Sequence, residues 1–112
     1  VTAPPALQYF VTLPYEVVED AASSVARFLA ALNANLPITG FEYSEQGAVV
    51  VFRHTHAISV QPLDPGVIAW TGSMIGSAIG EFGPQLRQVC GGADLDEMLS
   101  AMAARFEAFS GD

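Results

Sequence analysis

The chain has 112 residues, with twelve acidic residues against four arginines, no lysine and a formal net charge of −8. Hydrophobic residues make up 51% and charged residues only 14%, a composition that excludes intrinsic disorder. The four arginines are scattered, so we expect neither nucleic acid nor a membrane surface as a partner, since both bind clustered cations. We predict one domain over residues 1–112, with an apolar surface that faces a protein partner.

Cys90 is the only cysteine in the sequence, so no disulfide can form within the chain. A single cysteine fits a reducing compartment, and we expect a cytoplasmic location. The sequence contains no apolar run of about 18 residues, the length at which a transmembrane helix is considered.

The first part of the chain predicts a strand followed by a long helix. Leu7–Leu13 is short and rich in aromatic and β-branched residues, as strands are. Tyr15–Leu36 has acidic residues in its first turns and an apolar stripe at spacings of three and four, which is typical of an amphipathic helix. Pro37 and the asparagines before it end this helix.

Short strands separated by turns follow the helix. They are predicted over Ile38–Ser44, Ala48–His54, Ala57–Leu63 and Val67–Thr71. Glu45-Gln46-Gly47 and Asp64-Pro65-Gly66 are predicted as turns. Spacing this tight indicates consecutive hairpins and therefore an antiparallel sheet.

Two helical segments end the chain. Apolar residues keep a helical period over Gly72–Gly92, although four glycines and Pro84 weaken the pattern. Asp94 and Glu97 have the spacing of a capping box, so we expect a last helix after Asp94. The predicted fold class is α+β: an antiparallel four- to five-stranded sheet packed against amphipathic helices in the order β-α-β-β-β-β-α-α.

His54 and His56 are the only histidines, and on a strand they would share one face and could bind a metal together with Cys90 or an acid. Arg53 beside them opposes a cation, so we predict no metal site and no cofactor. Signatures of nucleophilic or metal-dependent hydrolysis are absent, and Cys90 lies in an apolar pattern that indicates a core residue. We therefore name no catalytic residue.

Gly72, Gly76 and Gly80 recur every four residues, with Ser73 and Ser77 in parallel. On a helix this spacing forms a stripe of small residues along which a second helix can approach closely. A loosened helix start after the sheet is the alternative, and a phosphate-binding loop is disfavoured because no lysine follows the glycines. We predict that the three glycines form a contact between the subunits of a homodimer.

The segment FLAALNANLPITGFEYSEQGAVVVFRHTHAISV (residues 28–60) carries a family resemblance. A helix ends at Leu36-Pro37, an aromatic and acidic strand contains Phe41-Glu42-Tyr43, and the turn Glu45-Gln46-Gly47 leads into an apolar strand. This pattern resembles the N-terminal half of class I type III secretion chaperones, the CesT-like group, and of their YbjN-type relatives.

The resemblance implies a cytoplasmic homodimer that holds an extended segment of a partner protein without ATP. Such a segment adds strand hydrogen bonds at a sheet edge and places its apolar side chains in a groove between helix and sheet. The positions that match the lining of this groove are Phe28, Leu32, Phe41, Val49 and Val51.

Two features depart from the family pattern, namely the strand at Leu7–Leu13 and the shortness of Phe82–Gly92, where the family has two further strands. An alternative function is therefore a small α+β enzyme or small-molecule-binding domain with a pocket near His54, His56 and Trp70. A third is a purely structural subunit that binds a folded partner.

Overall fold

Three antiparallel strands and three α-helices form the structure, a computed structural model that describes residues 5–58 and 64–110. The elements are β1 (Ala6–Glu16), α1 (Ala22–Asn35), β2 (Phe41–Ser44), β3 (Val49–Ala57), α2 (Pro65–Cys90) and α3 (Leu95–Ser110), with a 3-10 turn over Glu19–Ala21 before α1. The α+β class with an antiparallel sheet is confirmed. In the described part of the chain the sheet has three strands, not four to five, and the order is β-α-β-β-α-α.

The strands lie in the order β1-β3-β2, so β3 is central and antiparallel to both neighbours. Ala6 pairs with Ala57 at one end of the ladder between β1 and β3. Phe41 of β2 pairs with Phe52 of β3, and their rings meet edge to face with centroids 4.9 Å apart. The near-continuous apolar sequence at the start of β3 fits this central position.

Helices cover only one face of the sheet. Successive strand residues point to opposite faces, and on β1 the odd-numbered residues from Leu7 to Tyr15 are partly or fully buried. The even-numbered residues of β1 are exposed, and among them Phe10 is 55% exposed opposite Arg53. The core therefore lies on one side of the sheet and solvent on the other.

β1 continues through Pro14 to Glu16, beyond the end that we predicted. Its pairing register with β3 shifts between Thr12 and Glu16. Pro14 lies in this irregular stretch, where its missing N–H does not interrupt a regular ladder. The helix predicted from Tyr15 therefore begins later, with the 3-10 turn and then α1 from Ala22.

The turn between β2 and β3, predicted over Glu45-Gln46-Gly47, has its left-handed residue at Ala48, where φ is 50°. A left-handed alanine costs about 1–2 kcal/mol, because its Cβ crowds the following carbonyl oxygen. Glycine adopts the same backbone without that cost.

We expect Ala48→Gly to raise the free energy of unfolding by up to about 1 kcal/mol, measured by urea denaturation. Gly47→Ala is the matched control and should bring no gain, since a Cβ there would lie 3.1 Å from the Val49 side chain. A less stable Ala48→Gly variant would contradict the left-handed backbone at this position.

Val67–Thr71, which we predicted as a strand, lies in helix α2, so that prediction was wrong. Asp64 caps the helix, because its Oδ1 accepts a hydrogen bond from the N–H of Gly66 at 2.8 Å. Pro65 occupies the first turn, where the lack of an N–H is tolerated. The β-branched and aromatic residues favoured a strand locally, but the cap and the helical burial period outweigh that preference.

Helix α2 continues through its glycines and Pro84 to Cys90. Its buried residues recur at spacings of three and four, and they include Thr71, Ile75, Ala78, Phe82, Leu86 and Val89. This tertiary packing outweighs the roughly 1 kcal/mol that each interior glycine costs relative to alanine. Pro84 is exposed, so water can bond the Gly80 carbonyl that its missing N–H leaves free.

β3 extends to Ala57, past the predicted end at His54. The separate strand predicted over Ala57–Leu63 falls largely on residues 59–63, which lie outside the described residues.

Helix α2 runs along the covered face of β1. Near the start of the helix, the Tyr9 hydroxyl donates a hydrogen bond to the Ile68 carbonyl at 3.4 Å. Near its end, a Cβ on Gly83 would lie 2.7 Å from the Tyr15 hydroxyl. The missing side chain at Gly83 therefore lets α2 lie against the strand.

Phe28, Phe52 and Phe82 are fully buried and form the centre of the core between the sheet and the helices. Phe82 stacks on Phe106 with ring centroids 4.4 Å apart, which joins α2 to α3. Asp94 caps the last helix as predicted, with its Oδ2 accepting a hydrogen bond from the N–H of Glu97 at 3.0 Å.

Candidate functional site

A shallow groove of about 360 Å³ lies between α1 and β2. One wall is the exposed side of α1, and the other is the edge of β2 that does not pair with β3. The lining residues are Ala26, Leu29, Ala30, Asn33, Phe41, Tyr43 and Glu45. Two of the α1 residues are alanines, whose short side chains leave the groove open.

The side-chain amide of Asn33 joins α1 to the outer edge of β2. Its Oδ1 accepts hydrogen bonds from the N–H groups of Gly40 and Phe41 at 3.3 and 3.2 Å. Its Nδ2 donates to the Phe41 carbonyl at 2.9 Å. One side chain thus takes the place of a neighbouring strand at Phe41.

The next outward-facing backbone groups on β2 belong to Tyr43. The Arg53 N–H donates to the Gly40 carbonyl at 2.8 Å, so Gly40 faces β3. Because an antiparallel ladder alternates, Phe41 and Tyr43 face away from β3. Asn33 satisfies the Phe41 groups, whereas no described residue bonds the N–H or carbonyl of Tyr43. The edge therefore offers one donor and one acceptor beside an apolar groove.

The groove has one charged lining residue, Glu45, and no cation among the residues that line it. The chain as a whole carries a net charge of −8. The electrostatic potential of the groove therefore favours a neutral or basic occupant.

An ion pair between Glu42 and Arg53 lies on the open face of the sheet, where the Arg53 Nε also donates to the Glu42 Oε2 at 3.2 Å. This hydrogen bonding lowers the pKa of Glu42 and raises that of Arg53. Both side chains are more than 40% exposed, so solvent screens the pair and its contribution to stability is small.

Three of the five residues that we predicted for partner binding lie in the core cluster, where Phe28 and Leu32 are fully buried and Phe41 is 4% exposed. Val51 is 7% exposed but lies outside this cluster, on the open face of the sheet with its pairing partners Thr12 and Glu42. Val49 is half-buried. Of the five, only Phe41 lines the groove, so the groove consists mainly of residues that the sequence analysis did not select.

Gly72, Gly76 and Gly80, the predicted dimer contact, lie on the exposed side of α2. A Cβ at any of the three would meet nothing within 4 Å. No contact inside the chain therefore requires these glycines, and their role between subunits stays a prediction.

His54 and His56 are half-buried on the covered face of β3, and the His54 ring lies 6.1 Å from the Tyr9 ring. Cys90 is near the other end of β1, where its carbonyl accepts a hydrogen bond from the Val18 N–H at 2.9 Å. The fold does not bring this cysteine to the histidines. Among the described residues, no three His, Cys, Asp or Glu side chains gather into a group that could hold a metal ion.

The Cys90 thiol is 1% exposed, and burial raises its pKa. A buried thiol that stays protonated is a poor nucleophile. The placement of Cys90 in the core is therefore confirmed, and its surroundings are those of a packing residue.

The alternative pocket near His54, His56 and Trp70 stays a prediction. These three residues line neither the groove nor a second cavity of about 10 Å³, which has room for about one water molecule. The small cavity is lined by Leu36, Pro37, Ile38, Met74 and Ala78. Trp70 itself is 56% exposed.

Comparison of the chain with known protein families, with curated proteins and with solved structures finds no match. No helix within residues 5–58 and 64–110 has the length and apolar character needed to cross a membrane.

Proposed function

We propose that this chain is a non-enzymatic protein-binding module that holds an extended segment of another protein in the groove between α1 and β2. The observation that carries the proposal is the free N–H and carbonyl of Tyr43 at the edge of an apolar groove. An extended segment pairs with such an edge as an added strand and lays alternate side chains into the groove.

Asn33 limits where the segment pairs. Its amide occupies the edge at Phe41, so strand addition begins at Tyr43 and continues towards the turn. Hydrogen bonds to one residue fix the direction and register of the segment but contribute little net affinity. Most of the affinity has to come from apolar side chains that contact Leu29 and the α1 alanines.

The occupant is a neutral or basic segment with apolar residues at every second position. We expect this segment to be neutral or basic because Glu45 lines the groove and the chain carries a net charge of −8. The alternation follows from strand geometry, in which every second side chain faces the same way. The resemblance of residues 28–60 to CesT-like secretion chaperones supports a chaperone or assembly factor of this kind.

The test measures binding of the full chain to short synthetic peptides in which valine or leucine alternates with lysine, or with glutamate. We expect the lysine series to bind with micromolar Kd and the glutamate series to bind much more weakly. N-methylation of the backbone in the best peptide should weaken binding at least about tenfold, because it blocks strand pairing.

Ala30→Arg and Ala34→Arg form a matched pair, since both alanines are exposed on α1 but only Ala30 lines the groove. Ala30→Arg should weaken peptide binding at least about tenfold, and Ala34→Arg should leave it within about twofold. The proposal is overturned if neither peptide series binds, or if the two variants bind equally well.

A further inference from the structure

β1 lies at one edge of the sheet, so half of its backbone N–H and carbonyl groups point away from β3. Phe10 pairs with Arg53, but the Arg53 N–H donates to the Gly40 carbonyl on the β2 side. Because an antiparallel ladder alternates, the backbone groups of Gln8, Phe10 and Thr12 therefore face outwards. No described residue bonds these groups. We call the outer side of these three residues the β1 edge.

The β1 edge carries none of the features that usually keep an edge strand from pairing with another chain, such as charged residues, prolines or bulges. Residues 6–13 contain no charged residue and no proline, and the register with β3 shifts only after Thr12. The edge of β2, by contrast, belongs to a strand of four residues, and Asn33 occupies it at Phe41. Of the two edges that the described residues form, the β1 edge therefore offers the longer row of free backbone groups.

The side of α2 that faces β1 leaves room for the side chains of a further strand. A Cβ on Gly83 would lie 2.7 Å from the Tyr15 hydroxyl, so Gly83 faces β1. Gly76 and Gly72 precede Gly83 by 7 (83 − 76) and 11 (83 − 72) residues, about two and three helical turns, so they lie on the same side of α2. Both are exposed, and a Cβ at either would meet nothing within 4 Å. The described chain therefore does not fill the space beside the β1 edge.

The sequence of β1 is nearly symmetrical about Phe10 in the character of its residues. At equal distances from Phe10 lie Tyr9 and Val11, Gln8 and Thr12, and Leu7 and Leu13. In an antiparallel pair of two β1 strands centred on Phe10, apolar or aromatic residues therefore meet their like, and polar residues meet polar ones. Glutamine and threonine already bond across strands on this face, where the Gln8 amide donates to the Thr55 hydroxyl at 3.3 Å. This self-complementarity favours a second copy of β1 as the added strand.

The charge distribution also favours a second copy at this edge. Residues 1–15 contain no charged side chain, although the chain carries a net charge of −8. Two equally acidic copies repel each other least where neither carries a charged side chain. A basic segment, which suits the groove between α1 and β2, finds no acid along the β1 edge.

We propose that the β1 edge binds the β1 edge of a second copy of this chain in an antiparallel pair centred on Phe10. Gln8 of each copy lies opposite Thr12 of the other, and these pairs and the central Phe10 pair each exchange two N–H···O bonds. The Phe10 side chains stay on the open face of the joined sheet, and two-fold symmetry closes the assembly at two copies. The groove between α1 and β2 lies at the outer ends of this sheet, so the dimer does not depend on the function proposed for the groove.

Sedimentation equilibrium of the full chain tests the dimer, and we expect a mass of twice 11.8 kDa. Gln8→Pro should weaken dimerisation at least about tenfold, because proline removes an outward N–H. The fold should tolerate this proline, since the Gln8 N–H bonds no described residue, and circular dichroism checks that it does. Gln8→Ala is the matched control, which loses the same side chain but keeps the N–H, and it should weaken the dimer by no more than about threefold.

Amide hydrogen exchange of the wild-type chain, followed by NMR, locates the interface without a substitution. We expect the amides of Gln8, Phe10 and Thr12 to exchange slowly in the dimer and to lose this protection on dilution to the monomer. The amides of Tyr9 and Val11 face β3 and are the internal control, since they should be protected in both states.

Two double variants test the antiparallel register. Gln8→Lys with Thr12→Lys places like charges opposite each other and should weaken the dimer at least about tenfold. Gln8→Glu with Thr12→Lys places opposite charges there and should keep the dimer. The double lysine variant also lowers the net negative charge, so its dissociation cannot come from general repulsion. A monomeric wild-type chain, a dimer whose outward amides exchange fast, or equal dimerisation of the two double variants overturns the proposal.

Discussion

Replacing Phe28 by alanine is expected to lower the free energy of unfolding by about 3–5 kcal/mol, the range for removing a large aromatic side chain from a core. Phe28 is fully buried on α1 and belongs to the main core cluster. Domains of this size have about 5–15 kcal/mol of stability in total, so the loss is a large part of it. Urea denaturation followed by circular dichroism measures the change.

Phe10→Ala is the control, because Phe10 is 55% exposed on the open face of the sheet. Its effect should stay within about 0.5 kcal/mol, as for most surface substitutions. The comparison of Phe28→Ala with Phe10→Ala also tests whether Phe28 is a core residue or a residue that binds the partner. If Phe28→Ala kept its stability and lost only peptide binding, the core position of Phe28 would be contradicted.

Asn33→Ala is the second substitution with a large expected effect, a loss of about 1–3 kcal/mol in the free energy of unfolding. The variant removes the partners of the Gly40 N–H and of both Phe41 backbone groups. The Phe41 groups face away from β3 and cannot pair with it instead. Because the site is part-buried, water restores only some of these hydrogen bonds.

Asn35→Ala is the matched control on the same helix. Asn35 is exposed, and its Nδ2 donates to the Ala31 carbonyl one turn earlier at 2.8 Å. It reaches no other element, so we expect a change within about 0.5 kcal/mol in the same denaturation experiment. If Asn33→Ala lowered the free energy of unfolding no more than Asn35→Ala does, the hydrogen bonds between α1 and β2 would be shown to contribute little to stability.

Elements whose ends are determined by residues close to them in the sequence could be predicted. The cap at Asp94 and the apolar period after it predict α3 correctly, because a capping hydrogen bond spans three residues. The alternation of Phe41 and Tyr43 likewise places both residues on one face of β2, and the structure has them together in the groove.

Asp64-Pro65-Gly66 shows why the prediction around residue 67 was wrong. The same three residues that form a turn before a strand also cap and start a helix. Whether a strand or a helix follows depends on whether a helical stripe of apolar residues in the next segment can pack against the rest of the core. Residues such as Ile75 and Phe82, several turns away, provide that stripe by packing into the core.

The groove was only partly predictable for a similar reason. Phe28 and Leu32 occupy positions that suit a groove or a core equally well, and the packing of all three helices decides for the core. Asn33 looked only like part of a helix end. Its hydrogen bonds to β2 depend on the path of residues 36–40, which no local pattern encodes.

The pairing of β1 with β3 has a consequence for the order in which the chain folds. Ala6 and Ala57 pair although they are 51 positions apart (57 − 6), whereas β2 and β3 are joined by a turn over residues 45–48. Loop-closure entropy rises with the logarithm of loop length, so the short hairpin has the smaller barrier. On the ribosome β1 emerges before β2 and β3. It cannot pair with β3 until that strand has been synthesised, at about 5–20 residues per second. We therefore expect the β2–β3 hairpin to form first and β1 to pair with β3 afterwards, although β1 is synthesised before both strands.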